Sequence, residues 1–236
     1  MYTIKHRVRF SELDYAGKLS LGSMLDYFQD IATSQSTDLG FGWRYLAKTN
    51  RAWILNYWQV EIDELPDTED EIIIGTIPYN FNRFIGERNC YIKDKAGRML
   101  VRCNSVWSLF DMEKGFPSSI PDNEMYPLGK ALEMDYKPRK IKTPDNWTEV
   151  GTFVITKDRI DKNLHTNNSQ YVKLACNYLP EGQVKAFRVE YKKSMMLDEM
   201  VRVKTIVDDK VFYLMFESEA GESYAVLEFE FKEEIC

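Results

Sequence analysis

One order of elements runs twice through this 236-residue chain, and that repetition limits what it can fold into more than any single motif does. Asp14-Tyr-Ala-Gly17-Lys18-Leu-Ser20 holds in the first half the place that Asp161-Lys-Asn163-Leu164-His165-Thr-Asn167 holds in the second, each directly ahead of an apolar-faced helix. Before the first copy, Tyr2–Phe10 alternates with a period of two and predicts a strand. After it, Leu21, Met24, Leu25, Phe28, Ile31 and Ala32 share one face of a predicted helix of about five turns. Ser20 is its expected N-cap, and Gly40 with Gly42 its stop.

Four strands are predicted next: Ala52–Ile62, Glu71–Tyr79, Phe84–Lys93 and Met99–Asp111. Leu65-Pro66-Asp67 and Asp94-Lys-Ala-Gly97 supply turns, and Val101, Cys103, Ser105, Trp107 and Leu109 share one face of the last strand. A proline-studded connector runs from Phe116 to about Trp147 and carries the basic cluster Lys137-Pro-Arg139-Lys140-Ile-Lys142. Its composition is that of a surface linker. The order then recurs: a strand over Thr148–Thr156, a loop over Asp158–Asn168, and a helix over Ser169–Tyr178 ended by Pro180-Glu-Gly182. Strands follow over Val184–Ser194, Met200–Asp208, Val211–Ser218 and Tyr224–Lys232. A long helix wrapped by an antiparallel sheet is the hot-dog arrangement. The expected fold is therefore α+β, a tandem (double) hot dog: residues 1–128, a linker over 129–147, and residues 148–236. An unrelated α+β chain with the same element order is the competing reading.

Composition narrows the function classes. Apolar residues make up 44% and aromatics 14%, which predicts a sizeable core rather than disorder. A net charge of -6 argues against a general nucleic-acid binder. No run approaches the roughly 20 apolar residues of a membrane span, and the N-terminus lacks the hydrophobic stretch of a signal peptide. The expectation is a soluble cytoplasmic protein. Four scattered cysteines (Cys90, Cys103, Cys176, Cys236) and two histidines (His6, His165) suggest neither a disulfide framework nor a metal site. No cofactor is expected.

His165 is the one histidine outside the N-terminal strand, and its company is polar: Asp161, Asn163, Asn167 and Asn168. Amides at a helix start stabilise developing negative charge. A thioester hydrolase needs a base for water, donors for the oxyanion and an orienting carboxylate. The same residues also make good caps and turns, and both readings stay open on the residues alone.

Asp161-x-Asn163-x-His165-x-Asn167-Asn168, followed by Tyr171, resembles the catalytic segment of the acyl-acyl-carrier-protein thioesterases of plants and bacteria. Phe41-Gly42-Trp43, the Trp53–Pro66 stretch, Arg102–Trp107 with Ile120-Pro121, and Val189–Lys193 resemble other parts of that family in the right order. The resemblance implies that His165 is the general base, that Asn163 positions the carbonyl or stabilises its oxyanion, and that Asp161 orients the network, with Asn167 and Asn168 in support. It implies hydrolysis of fatty acyl-acyl carrier protein to free fatty acid, terminating fatty acid synthesis. It also implies that the first half lines an acyl pocket, with Met24, Leu25, Phe28, Trp58 and Trp107 as candidates; ordinary core packing accounts for each equally well. Lys18 and Ser20 stand where His165 and Asn167 stand, so the first half is expected to do no chemistry.

One departure stands out. The family completes its site with a Glu-Cys dipeptide after the strand's Glu-Tyr pair; here Glu190-Tyr-Lys-Lys193 runs into Ser194-Met195. Strand alternation predicts Ser194 on the face of Glu190 and Lys192. A serine hydroxyl is too weakly acidic to replace a carboxylate base. Asp161 with His165 carries the reaction, or Glu190 or Glu199 reaches in, or the protein is slow or inactive. An acidic carrier protein would land on Lys137, Arg139, Lys140 and Lys142, or on Arg188, Lys192 and Lys193. Hydrolysis of acyl-coenzyme A and non-catalytic acyl or carrier binding are the alternatives, in a monomer or a homodimer.

Overall fold

The computed structural model describes residues 1–121, 124 and 126–234; Cys236 and three positions of the connector lie outside the described residues. In chain order the elements are β1 (Tyr2–Arg7), α1 (Leu21–Asp38), α2 (Trp43–Lys48), β2 (Arg51–Ile62), β3 (Glu71–Phe81), β4 (Ile85–Asp94), β5 (Met99–Asp111) and the two-residue β6 (Phe116–Pro117). There follow β7 (Thr148–Val154), α3 (Asn168–Ala175), β8 (Val184–Tyr191), β9 (Met200–Asp208), β10 (Val211–Ser218) and β11 (Ser223–Phe231). The chain divides into two compact units, Met1–Asn56 with Val60–Tyr136 and Tyr57–Gln59 with Lys137–Cys236.

In the first unit the strands neighbour one another in the order β1-β3-β4-β5-β2; in the second the order is β7-β9-β10-β11-β8. The two orders are the same topology, all antiparallel where register is defined. Helix α1 forms where its apolar spacing predicts. Ser20 accepts the backbone N–H of Ser23 at 3.2 Å, and Met24, Leu25, Phe28 and Ile31 are fully buried. Residues three and four apart stack on one face, so these side chains present one continuous stripe. Gly40 ends the helix in the left-handed region (φ 86°), where a Cβ carries a steric cost. Gly42 serves differently: a Cβ there would lie 2.5 Å from Thr37 Oγ1. The short helix α2 that follows carries no apolar repeat long enough to announce it.

Most strand bounds fall within two residues of the predicted ones, with three informative differences. Strand β1 stops at Arg7 because a 3-10 turn begins at Phe10, its N-cap Arg9 donating its N–H to Glu12 Oε2. The second helix is short: α3 covers eight residues and tightens into a 3-10 turn over Cys176–Tyr178. Strand β8 ends at Tyr191, where Lys192 and Lys193 both donate to the carbonyl of Tyr224. Two residues opposing one is a bulge, so alternation does not reach Ser194 and its predicted face does not hold.

The connector is not a free tether. In the first unit, Asn89 of β4 is fully buried and its Oδ1 accepts Leu132 N–H (3.0 Å) and Tyr136 O–H (2.9 Å). Glu124, 3% exposed, accepts from Arg51 Nη2 (2.5 Å) and Tyr45 O–H (2.8 Å). In the second unit, Ile141 donates its N–H to Glu190 Oε2 at 3.0 Å. Prolines deprive this segment of regular backbone pairing, and buried side chains satisfy it instead. No helix among the described residues is long and apolar enough to cross a membrane.

Candidate active site

The register between the two halves holds in the backbone bonds that close the two loops. Asp14 and Asp161, 147 positions apart, each donate N–H to a carbonyl four residues on, Lys18 (2.7 Å) and His165 (2.8 Å). Each accepts on Oδ1 the N–H two residues ahead, that of Ala16 (2.9 Å) or Asn163 (2.7 Å). This is the aspartate side chain closing its own turn. Gly17 and Leu164, at φ 77° and 65°, complete both turns. The turn geometry alone calls for glycine; Leu164, 72% exposed, bears the strain of a left-handed backbone beside the histidine. Isolated bridges Leu13–Leu19 and Ile160–Thr166 close the two loops, and Asn167 caps α3 by accepting from Ser169 N–H (2.9 Å) and Oγ (3.0 Å).

Within that frame Asp161 spends its second oxygen on Asn163 Nδ2, at 3.4 Å. One carboxylate thus holds both the backbone and the amide of Asn163, leaving the second amide hydrogen for an acceptor outside the loop. His165 is half-buried. Its carbonyl is fixed by Asp161, and among the described residues no side chain bonds its imidazole. Thr166, buried, donates through N–H (3.1 Å) and Oγ1 (2.9 Å) to the carbonyl of Met195. The Tyr171 hydroxyl accepts Met195 N–H (2.9 Å) and donates to Lys193 C=O (3.4 Å). Burial raises the pKa of this phenol, so it stays a neutral donor and acceptor. Ser194 is therefore the crest of an arch pinned on both sides to one hydroxyl. It belongs to the segment tied to Thr166, the residue after His165. Tyr171→Phe removes that pin and strands a buried N–H. The expected loss is about 1–3 kcal/mol, read from denaturant unfolding; a variant as stable as the parent would show the arch rests on other bonds.

The two alternative acids are occupied. Glu190 receives Ile141 N–H, as described above, and Glu199 Oε2 receives Met196 N–H (2.8 Å) and Tyr224 O–H (2.8 Å). Glu199 repeats a structural role in the first unit, where Asp70 Oδ2 accepts Asp67 N–H (2.8 Å). Residues Glu69 and Asp198 of these two turns share a left-handed backbone, φ 64° and 65°. That pairing exposes the difference between the halves. Lys18, in the histidine's position, is tied to Asp67 by Nζ–Oδ2 at 3.0 Å. In the second unit the Asp67 position is Met196, which offers an imidazole no such partner. Sequence reading gave no role to Thr166 or Met196 and singled out Tyr171 only as part of the family segment, not for its bonds to Lys193 and Met195; aligning the turns Pro66–Asp70 and Met195–Glu199 would have found Met196.

Met24, Leu25 and Phe28 line the buried face of α1, and Trp107 of β5 donates its indole N–H to Ser105 Oγ at 2.9 Å. Trp58 is buried in the short stretch that groups with the second unit. Of the two basic clusters, Arg188 is clamped by Glu228 (2.7 and 2.5 Å) and Lys193 pairs with Glu222 (2.6 Å). Arg139, Lys140 and Lys142 of the connector are exposed. Among the described residues no group of three or more His, Cys, Asp or Glu is placed to hold a metal ion.

Two units of one topology, each an antiparallel sheet with its own helix, define a tandem hot-dog protein. Solved structures share that fold: an acyl-ACP thioesterase from Bacteroides thetaiotaomicron superposes with a TM-score of 0.90 at 22% identity, over 98% of this chain and 97% of that one. A 12:0-ACP thioesterase from Umbellularia californica gives 0.82 at 18% identity, over 98% and 96%. The family profile described as the acyl-ACP thioesterase N-terminal domain matches residues 1–128, and the chain belongs to that family. Among curated relatives, a chloroplastic acyl-acyl-carrier-protein hydrolase of Cuphea viscosissima is 22% identical over 85% of this chain and 53% of its own length. A chloroplastic dodecanoyl-acyl-carrier-protein hydrolase of Umbellularia californica is 24% identical over 85% and 58%. The chain spans about half the length of the curated relatives it matches.

Proposed function

We propose that this chain is a thioesterase that hydrolyses fatty acyl-acyl carrier protein to free fatty acid, ending chain growth, with His165, Asn163 and Asp161 as its reacting set. The observation that carries the reading is the difference between the two copies of one loop. Where the first unit ties Lys18 to Asp67, the second presents His165 with no competing side-chain partner among the described residues, in the same loop as an amide that Asp161 holds in place. In the reaction the imidazole takes a proton from water as the hydroxide forms a bond to the thioester carbonyl. Asn163 donates to the oxyanion. Collapse breaks the C–S bond, and the imidazolium returns its proton to the departing thiolate. Ser194 contributes no base. With Glu190 and Glu199 already engaged, Asp161 is the carboxylate left to steady the site.

Carrier protein is favoured as donor over coenzyme A because the exposed cations Arg139, Lys140 and Lys142 suit an acidic protein surface. At equal concentrations, acyl-carrier protein should be cleaved faster than the acyl-coenzyme A of the same chain. The advantage should shrink as salt rises from about 0.05 to about 0.5 M, because exposed charges are screened beyond a few ångström there. A preference unmoved by salt would remove the electrostatic landing surface. Tight acyl binding without turnover would favour a non-catalytic binding protein, the reading that Ser194 in place of a carboxylate supports.

A further inference from the structure

Exposed apolar side chains separate the unit that carries His165 from the unit that does not. In the second unit they stand on three segments: Leu164 in the histidine's loop, Met196 and Leu197 in the turn before β9, and Val154 of β7 opposite Met200 of β9. Backbone bonds join these segments. Thr166 donates its N–H to the Met195 carbonyl (3.1 Å), Ile155 to Glu199 (3.0 Å), and Asp198 to Ile155 (3.0 Å). All five apolar side chains are between 37% and 72% exposed.

The first unit makes the same three bonds, Leu19 to Pro66 (2.8 Å), Val8 to Asp70 (3.0 Å) and Glu69 to Val8 (3.1 Å). Its residues at the five positions are Gly17, Asp67, Thr68, Arg7 and Glu71. There the surface is covered by ion pairs, Lys18 with Asp67 (3.0 Å) and Arg7 with Glu71 (3.9 Å). The backbone therefore forms equally well without any of the five apolar side chains. Leu164 also holds a left-handed conformation (φ 65°) where the first unit uses glycine. Exposed apolar groups gathered in this way mark a surface that a partner covers. The same loop is more basic in the second unit. Residues 157–165 carry Lys157, Arg159 and Lys162 against Asp158 and Asp161, whereas residues 10–18 carry Lys18 against Glu12 and Asp14. Lys157 and Lys162 are exposed.

We propose that this face of the second unit is where an acidic acyl carrier protein docks, its apolar contact on Leu164, Met196, Leu197, Val154 and Met200 and its acidic groups toward Lys157 and Lys162. The proposal rests on the thioesterase reading. The occupant is identified by what the apolar groups accompany: the copy with the histidine has them, and the copy without it keeps the same turns polar. A thioester brought to His165 is tethered to its carrier, so the carrier lands within reach of that loop, and Leu164 is the residue before His165. Coenzyme A is a small polyanion with little apolar surface to set against five such side chains. A protein with an apolar centre and a charged rim matches them, and the flexible Met196 and Met200 adapt to such a partner. The contact adds to the connector's cations an apolar component that salt does not screen.

The first unit supplies the test, because its residues already fit the shared backbone. In the full chain, Leu197→Thr, and Val154→Arg combined with Met200→Glu, should each lower the ratio of kcat/KM for acyl-carrier protein to kcat/KM for the acyl-coenzyme A of the same chain by about tenfold, the scale of one apolar side chain left unburied. The change should enter through KM. Leu164→Gly should lower the same ratio without lowering the melting temperature, since it relaxes the left-handed backbone. Val207→Thr, exposed at the far end of β9, is the control and should leave the ratio as it was. Thermal melting checks that each variant folds. A ratio held at the parent's value in the Leu197 and Val154/Met200 variants overturns the proposal, and turnover itself keeps the thioesterase reading standing. If neither donor is cleaved, the thioesterase reading fails, and calorimetric titration with unacylated carrier protein decides the surface: weaker binding in these variants supports it, and equal binding overturns it. A parent that sediments as a dimer and variants that sediment as monomers, with the ratio unmoved, assign the face to a second copy of the chain and overturn the proposal.

Discussion

Replacing His165 with alanine is expected to lower kcat by about a hundredfold to ten-thousandfold, the usual contribution of a positioned general base, while thermal stability stays nearly where it was. The two halves of that expectation have separate causes. The ring makes no hydrogen bond among the described residues and is half-buried, so its loss opens no large cavity and breaks no network. The backbone of the loop keeps its shape because Asp161 closes the turn through its own carboxylate and through the carbonyl of residue 165, neither of which the substitution touches. Steady-state hydrolysis of an acyl-carrier substrate, with a melting curve on the same preparation, checks both. Lys18→Ala is the matched control: it alters the same loop position in the other unit and breaks only an exposed ion pair, so activity should hold. Undiminished turnover in the His165 variant would move the chemistry elsewhere in the chain.

The second large effect concerns stability. Glu124→Ala should destabilise the protein by about 3–5 kcal/mol, the range found when one partner of a buried ion pair is removed. Arg51 is left 10% exposed and uncompensated, with Tyr45 deprived of its acceptor. In a chain of this size that corresponds to a fall in melting temperature of roughly 10 °C. Glu124→Gln keeps a hydrogen-bonding shape and should cost less. Pairing Arg51→Met with Glu124→Leu should recover much of the loss, since an apolar pair requires no desolvation of charge. A drop below about 1 kcal/mol in the alanine variant would mean that water reaches the Arg51 guanidinium after all.

Both effects depend on residues that read very differently in the sequence. His165 stood out because one histidine in a loop of aspartate and asparagines is a compositional anomaly. Glu124 sits among prolines in a segment that reads as a surface tether, and nothing local reveals that Arg51, 73 positions earlier, needs it. Tyr171 was legible as one more apolar residue of a helix stripe; that its hydroxyl pins Lys193 and Met195 is a contact across 22 and 24 residues.

What the sequence determined by itself follows from short-range periodicity. Alternation placed β3, β5, β9 and β10 within two residues of their true ends, the apolar stripe and Ser20 defined α1, and the Asp14–Asp161 register located the two equivalent loops. Each is a property of bonds and side-chain directions within a few residues, where pattern and geometry are the same statement. Only the tertiary structure decided the rest. A bulge at Lys192 and Lys193, set by the neighbouring strand's Tyr224, moved Ser194 off the face that alternation predicts. Packing gave Glu190 and Glu199 hydrogen-bond partners far along the chain, Ile141 N–H for the first and the Tyr224 hydroxyl for the second. Asp67, brought beside Lys18 by a turn distant in sequence, made one loop a closed ion pair, whereas in the second unit Met196 holds the corresponding turn position and among the described residues no side chain bonds the His165 ring. A side chain's availability depends on what the fold sets against it, and that neighbour is chosen by packing and hydrogen bonding over the whole unit rather than by the residues on either side.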